Sequence, residues 1–398
     1  MDISLNLRHL YAALEIQDCG SLSKAAERAH LSQSALTQAI ASLEEKVGAA
    51  LFLRHATGVE ATPAGEAFLA RVRRAQRYLK AIESIAPSGG DPRVRRLARL
   101  LTHKQLRSLV AVVDAGNYTR AAATLSVSQP TVHRAVRELE SLCQLTLFRR
   151  APAGVEPTWQ ARQMAHQASL FFAEVQQGLT EVMERQDRHT GSISVGALPY
   201  SRSRLVPQAV SRLLAEMPDT SVRIIDGPYE EQLHGLLRGQ IDVIVGALRE
   251  PAPSPDTVQE LLLSDPLNVV VRSGHWLLEK TRLSANQLQK LEWIAPRKQT
   301  PARALFTEFF EREGLTPPER VIECSSLVAI RGLLLESDRA ALLPAQQVAL
   351  DVERGILAVS PFPLKGTTRD IGLTLRRDWQ PTKAQSRFLT LLRQLALS

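Results

Sequence analysis

At 398 residues and 44% apolar, the chain can form two to four folded domains of about 100–200 residues each, which excludes global disorder. Its net charge of +8 is unevenly spread: residues 1–160 carry 21 Lys+Arg against 14 Asp+Glu, and the remaining 238 carry 28 against 27. A polyanion partner for the N-terminal part is therefore expected, all the more because Arg71–Arg107 holds 11 basic and 2 acidic residues.

The first long feature is a repeat. Leu5–Thr62 aligns without a gap on Leu101–Thr158, 96 residues on, with 18 of 58 positions identical. In the second copy, Gln105–Ala115 is apolar at Leu106, Leu109, Val110 and Val113, a helical spacing that Gly116-Asn117 ends. Thr119–Leu125 predicts a short helix whose small Ala121-Ala122 centre admits a crossing helix. Val127-Ser128 predicts a turn with Ser128 as N-cap, and Pro130 suits the first turn of a third helix running to about Leu142. That helix is apolar at Val132, Val136 and Leu139, and its other face carries Gln129, Thr131, His133, Arg134 and Arg137. Leu147-Phe148-Arg149-Arg150 before Gly154 predicts a hairpin wing with basic side chains for phosphate.

Three short helices with a polar third one match a helix-turn-helix, whose third helix enters the major groove. Gln suits adenine, Arg suits guanine, and a Thr methyl suits thymine. The alternative is a three-helix bundle with no DNA role. The run Ala121-Ala122, Val127-Ser128-Gln129-Pro130-Thr131-Val132, Leu139-Glu140 and Leu147-Phe148-Arg149-Arg150 resembles the winged helix-turn-helix of LysR-type transcriptional regulators. The first copy resembles it too, through Ala25-Ala26, Leu31-Ser32-Gln33-Ser34-Ala35-Leu36, Leu43-Glu44, Leu51-Phe52 and Thr62-Pro63-Ala64-Gly65. The resemblance implies DNA contact at Gln129, Pro130, His133 and Arg134, and at Gln33, Ser34, Thr37 and Gln38 in the first copy. Ser128, Thr131, Arg137, Arg149 and Arg150, with Ser32 and Arg54 in the first copy, are further candidates for the same surface. From Gln33 to Glu44 the first recognition helix has no positive charge, and Gln38 stands where Arg134 stands in the second. The second copy is therefore expected to carry more of the affinity, and the first to bind weakly or serve assembly. The second copy reads Thr158-Trp159-Gln160-Ala161 where the first has Thr-Pro-Ala-Gly.

A long amphipathic segment follows each wing. Phe68, Val72, Ala75, Leu79 and Ile82 are spaced like a heptad seam, and Met164, Ala168, Phe171, Val175 and Val182 keep nearly the same rhythm. In the family the equivalent helix pairs two subunits, so these two helices are expected to pair either within the chain or between chains. Ala86–Pro92 reads as a joint, followed by Arg93, Arg95, Arg96 and Arg99 for phosphate.

From Ser192 short β-rich runs alternate with amphipathic helices. Strands are predicted at Ile193–Gly196, Val222–Ile225, Ile241–Val245, Leu267–Val271, Glu292–Ala295, Val321–Cys324, Ala340–Leu343 and Ile371–Leu375. Helices are predicted at Arg204–Glu216, Glu230–Arg238, Ala302–Glu313, Leu327–Leu335, Ala345–Val352 and Thr382–Leu395. Such alternation predicts a mainly parallel α/β sheet with ligands beyond the carboxyl ends of the strands. Val195-Gly196-Ala197, Leu205-Val206-Pro207, Met217-Pro218, Gly239-Gln240-Ile241-Asp242-Val243 and Leu343-Pro344 resemble the LysR effector-binding domain, a two-lobed periplasmic-binding-protein-like fold. The resemblance is greatest to the branch of galactose-binding-protein regulators. It implies lobes of roughly 191–270 plus the C-terminal helix, and 275–355. Effector candidates after strands are Tyr200, Ser201 and Arg202, Ala247 and Arg249, Gln299, Thr300 and Arg303, and Ser325 and Ser326. Hydroxyls with nearby Arg suit an organic acid or a sugar-derived metabolite. His275, before Trp276-Leu277, is expected to be structural.

No Gly-x-Ser-x-Gly, P-loop, His-Glu-x-x-His or Gly-x-Gly-x-x-Gly occurs, and no catalytic residue, metal site or cofactor is implied. An enzyme with accessory DNA-binding domains would need a convergent acid, base or nucleophile that nothing marks. Cys19, Cys143 and Cys324 are too scattered for a disulfide framework or a zinc site, and Cys143 falls at an apolar-periodic position. With no export signal at the start and no uncharged run near the ~18 residues of a membrane span, a cytoplasmic protein without a membrane partner is expected. The expected fold is multidomain: residues 1–86 and 101–190 as two tandem mainly-α winged helix-turn-helix domains with linker helices, 87–100 as a basic joint, and 191–398 as a two-lobed α/β domain. The expected partners are double-stranded DNA, a small-molecule effector and further copies of the chain.

Overall fold

The computed structural model describes residues 5–55, 58–86, 96–186, 191–280, 283–362 and 364–397. Two compact units emerge, Met1–Gly191 with Arg238–Gln240, and Ser192–Leu237 with Ile241–Ser398. The joint over Pro87–Pro92 and the basic residues Arg93 and Arg95 lie outside the described residues.

The first unit opens with α1 (Leu7–Cys19), α2 (Leu22–Ala29) and α3 (Gln33–Val47), then a hairpin of β1 (Phe52–His55) and β2 (Gly58–Ala61), then the long α4 (Pro63–Ile85). After the one-turn α5 (Leu97–Leu100) the series recurs as α6 (His103–Ala115), α7 (Tyr118–Leu125), α8 (Gln129–Cys143), β3 (Phe148–Ala151), β4 (Gly154–Pro157) and α9 (Trp159–Arg185). Ala25, Ala26, Ala121 and Ala122 are buried, as close helix crossings require. Thr62 and Thr158 cap α4 and α9 by accepting from the backbone N–H groups of Gly65 and Ala161. The departure from Thr-Pro-Ala-Gly in the second copy thus leaves the helix start intact, and α9 is the longer helix at 27 residues against 23.

The amphipathic stripes of α4 and α9 meet each other. Phe68 and Arg71 lie against Gly178, and Arg74 reaches Glu174, so the helices run antiparallel. Leu10, Phe68, Leu79, Leu109, Leu139, Phe171 and Val182 share one hydrophobic core spanning both copies. Several arginines of the basic run serve this packing. Arg71 is 4% exposed within the α4–α9 seam, and Arg73 bonds Asp18 at 2.6 Å. Part of the basic excess is therefore spent within the unit, Arg71 by burial and Arg73 in a half-exposed ion pair with Asp18.

The second unit begins with β5 (Ser192–Ala197), α10 (Pro199–Ser203), α11 (Leu205–Glu216), β6 (Ser221–Ile225), α12 (Tyr229–Leu237) and β7 (Val243–Ala247). The 16-residue β8 (Thr257–Arg272) then crosses to α13 (Ala285–Gln289), β9 (Trp293–Ala295), α14 (Pro301–Arg312), β10 (Val321–Glu323), α15 (Leu327–Leu335), β11 (Ala340–Pro344), α16 (Ala349–Glu353) and β12 (Leu357–Val359). β13 (Thr368–Arg376) returns to the first lobe, and α17 (Lys383–Ala396) packs on α11 through Phe388, Leu389 and Leu392. The strand order is β10-β9-β11-β8-β13-β7-β5-β6, with β12 also on β8.

The expected mainly parallel sheet is instead mixed. β5 pairs β6 and β7 in parallel, as β9 pairs β10 and β11, whereas every pairing of β8 and β13 is antiparallel. The reason is that two long strands tie the lobes together. Pro266 ends the ladder with β13, and Leu267 begins the ladder with β11. Pro266 lacks an N–H, so it fits the point where the strand changes neighbours. The segment expected as one helix at Ala345–Val352 is a 3-10 turn, Ala345–Val348, followed by α16.

Candidate nucleic-acid interface and effector cleft

α3 and α8 each bury one face and present the other. In α8, Val132, Ala135, Val136, Leu139 and Cys143 are buried, and Gln129, Pro130, His133, Arg134 and Arg137 are exposed, with Thr131 half-buried at the same end. In α3, Leu36, Ala39, Ile40 and Leu43 are buried, Ser32, Gln33, Ser34 and Gln38 are exposed, and Thr37 is half-buried. The wing residues Arg54, Arg149 and Arg150 are exposed as well. Each copy thus gathers its expected DNA-facing side chains on one recognition helix and one hairpin.

The details separate the copies. Ser32 caps α3, its Oγ accepting from Ala35 N at 3.2 Å. Ser128 holds the N-cap position of α8, but its hydroxyl pairs with the Thr131 hydroxyl at 2.8 Å and not with a backbone N–H, contrary to the expected cap. Arg137 donates to Glu140 at 3.2 Å, so part of its charge is committed within the helix. The His133 ring meets Tyr118 edge-on at 5.1 Å, and Tyr118 meets Phe148 at 6.1 Å, joining α7, α8 and the second wing. Arg162, where the first copy has Glu66, lies beside the second wing with Glu156 3.7 Å away. Neither Tyr118 nor Arg162 stood out in the sequence, and only comparison of the two copies position by position marks Arg162.

Two repeated motifs gain a role. Glu44 Oε1 accepts from Leu51 N at 2.7 Å and Phe52 N at 3.2 Å, and Glu140 Oε1 accepts from Leu147 N at 2.8 Å and Phe148 N at 3.4 Å. One carboxylate per copy therefore fixes the wing to the recognition helix. The wing's far strand is hooked to the first helix turn, with Val59 N donating to Gly20 O and Val155 N to Gly116 O, both at 2.9 Å. A Cβ at Gly154, whose φ is +137°, would stand 2.5 Å from that Gly116 oxygen, which is why glycine opens the strand.

In the second unit the expected effector residues sit at or past the carboxyl ends of β5, β7, β9 and β10. Many already have protein partners. Ser201 is fully buried and its hydroxyl lies 3.0 Å from Leu198 O and 2.8 Å from Val245 O, so it pegs α10 to β7. Arg202 pairs Asp226 at 3.3 Å. Arg249 stacks over the Tyr229 ring at 4.3 Å, beside the half-buried Ala247. Thr300 and Ser326 cap α14 and α15, with Gln299 exposed and Ser325 half-buried next to them. Arg303 donates to Pro296 O at 3.1 Å. His275 is buried, with Nδ1 accepting from Leu277 N and Nε2 3.1 Å from Asp338 O, a structural placement.

Where β8 and β13 pass between lobes, the expected residue Tyr200 meets Asp265 and Arg369, which the sequence did not single out. Arg369 and Asp265 are register partners, and Arg369 lies over the Tyr200 ring at 5.7 Å. Burial pushes Tyr200 up to about 12 and Arg369 down to about 10, and it raises Asp265 against the pull of Arg369. Asp265 Oδ2 and Arg369 Nε are buried without a hydrogen-bond partner. Arg204 at the head of α11 donates to Gln346 in the opposite lobe at 3.1 Å. No signal in the linear chain joins Asp265 to Arg369; only strand pairing does.

This combination of polar recognition helices on buried helical cores with a two-lobed α/β domain defines a DNA-binding transcriptional regulator with an effector domain. Residues 7–66 and again 103–162 match the bacterial regulatory helix-turn-helix protein, lysR family, and residues 186–396 match the LysR substrate binding domain. The chain belongs to the LysR family of transcriptional regulators. It is 33% identical over 397 residues to the HTH-type transcriptional regulator GalR of Pseudomonas putida, covering 99% of this chain and 98% of that one. It is 30% identical over 293 residues to the regulator PcaQ of Agrobacterium fabrum, covering 74% of this chain and 94% of that one. The regulator GbpR of Azospirillum brasilense is 28% identical over 283 residues, with 71% and 82% covered. The crystal structure of CbnR, a LysR family transcriptional regulator, shares the fold with a TM-score of 0.51 at 22% identity, covering 74% of this chain and 99% of that chain. Among the described residues, no helix is long and apolar enough to cross a membrane.

Proposed function

We propose that the chain is a cytoplasmic, ligand-responsive regulator and not an enzyme, with two complete winged helix-turn-helix domains at 1–86 and 101–190, a joint at 87–100 and an effector domain at 191–398. The second domain carries most of the DNA affinity through Gln129, His133, Arg134, Arg149 and Arg150, and the first contributes weaker contacts through Gln33, Ser34 and Gln38. The observation that carries this reading is the exposed polar face of α8, whose Arg134 has the neutral Gln38 as its counterpart in α3. The duplication is supported by the relatives: PcaQ is matched over nearly its whole length yet leaves unmatched about a quarter of this chain, the size of one repeat.

The effector sits between the lobes of the second unit. Tyr200, Asp265 and Arg369 at the crossover strands offer a partly unsatisfied cation to the acidic end of an organic acid, with Arg204 and Gln346 closing over it. Binding at this place changes the lobe arrangement by no more than the ligand's differential affinity for the two states. The experiment is genomic footprinting of the purified chain followed by gel shifts across a salt series. A sequence-specific footprint is expected, with Arg134→Ala weakening it by ~1–3 kcal/mol and Gln38→Ala by less. Arg134→Ala binding like the parent would overturn the assignment of α8.

A further inference from the structure

The seam between α4 and α9 is charged in one direction only. Arg71 donates to Glu174 at 3.1 Å, to Gln177 at 2.8 Å and to Glu181 at 2.5 and 3.0 Å, and Arg74 donates to Glu174 at 3.2 Å. Burial alone would pull the Arg71 guanidinium down, but the bonds and charges of Glu181 and Glu174 hold it above its usual value. The 96-residue repeat puts Gln167 and Leu170 where Arg71 and Arg74 stand, and Tyr78, Ala81 and Ile85 where Glu174, Gln177 and Glu181 stand. The seam therefore has one ionic half and one uncharged half.

That asymmetry selects the pairing. Two α4 helices would set buried Arg71 against Tyr78, Ala81 and Ile85, and two α9 helices would set Glu174 against Gln167 and Leu170, each leaving a buried charge without its counter-ion. Shape says the same. A Cβ at Gly178 would lie 3.0 Å from the Arg71 side chain and 3.2 Å from Phe68, and the repeat places Ile82 at that position in α4. Only α9 leaves room for Arg71. The partner is held within one chain: α5 docks on the first copy, with Tyr11 Oη donating to Ala98 O at 2.9 Å and Ala98 N donating to Glu83 Oε2 at 3.0 Å.

Resting on the reading that α3 and α8 both face DNA, we propose that one chain is a two-headed reader whose operator has two unlike half-sites. A homodimer of single-headed subunits is forced by its twofold axis to read the same bases twice. This seam forces no such identity. The α8 half-site contains guanine for Arg134, and the α3 half-site is read by Gln33, Ser34 and Gln38, which favour adenine or make neutral contacts.

The test uses the full chain and its footprinted operator. Two symmetrised duplexes are made, each carrying one half-site twice as an inverted pair, and affinities are compared at one salt concentration by fluorescence anisotropy, with native mass spectrometry for stoichiometry. The native operator is expected to bind at least about tenfold tighter than either symmetrised duplex. One chain is expected per pair of half-sites, and Arg134→Ala is expected to relax base preference in one half-site only. A symmetrised duplex bound as tightly as the native operator, or two chains per pair of half-sites, would overturn the proposal while leaving DNA binding intact. A chain with no sequence-specific footprint would instead sink the reading on which it rests.

Discussion

Replacing Arg71 by Met removes the cation from the α4–α9 seam while keeping most of the aliphatic stem. The side chains of Arg71, Glu174 and Glu181 are 4%, 6% and 22% exposed, so water reaches Glu181 but barely reaches Glu174. Removing one partner of a buried ion pair costs ~3–5 kcal/mol because the other charge is stranded. Arg74 keeps its two bonds to Glu174, at 3.2 and 3.3 Å, which places the expected loss near the low end, about 3 kcal/mol. Amide hydrogen exchange with mass spectrometry resolves α4 and α9 inside the intact chain. At ~1.4 kcal/mol per tenfold, protection in both helices should fall about a hundredfold, with α11 and α17 unaffected. The double variant Arg71→Met with Glu174→Leu should recover part of this, because the stranded carboxylate has gone. A fall of less than tenfold in the single variant would refute the claim that Arg71 holds the seam.

Gly154→Ala should unhook the second wing at a cost of ~1–3 kcal/mol, seen as faster exchange at Val155 N–H and a shallower salt dependence of DNA binding. Unchanged exchange there would show that the hook to Gly116 is dispensable. The Cys143 thiol, pushed up to about 12 by burial, should resist iodoacetamide at pH 8 in the native chain, whereas the half-exposed Cys19 and Cys324 react. Peptide mapping that finds native Cys143 alkylated at the same rate as these two would contradict its place in the core.

The helical repeat was legible because its information is local. Ala25-Ala26 and Ala121-Ala122 mark close crossings, and the alternation of Val132, Val136 and Leu139 with Gln129, His133 and Arg134 fixes which face of α8 is buried. The heptad rhythm marked α4 and α9 as partners but left open whether they meet within the chain. What decides it is a set of polar residues, Arg71 with Glu174 and Glu181, more than 100 positions apart. In composition Arg71 counted toward the basic excess, and only packing shows it turned inward. The effector domain was legible as alternating elements, but the strand expected at Leu267–Val271 is only the second part of β8, Thr257–Arg272. With the first part of β8 went the pairing of Asp265 with Arg369, which meet only through strand register. Ser201 was a reasonable cleft candidate from its position after β5, yet its hydroxyl is consumed by two carbonyls.

The most direct test of the account is the specificity ratio of the double variant Gln129→Ala with Arg134→Ala, measured on operator and on random duplex over a salt series. Operator affinity should fall by ~2–6 kcal/mol toward the non-specific level, while random-duplex affinity and its salt slope stay close to the parent's because the wing arginines remain. A double variant that still prefers its operator as strongly as the parent would contradict the claim that the exposed face of α8 reads the sequence.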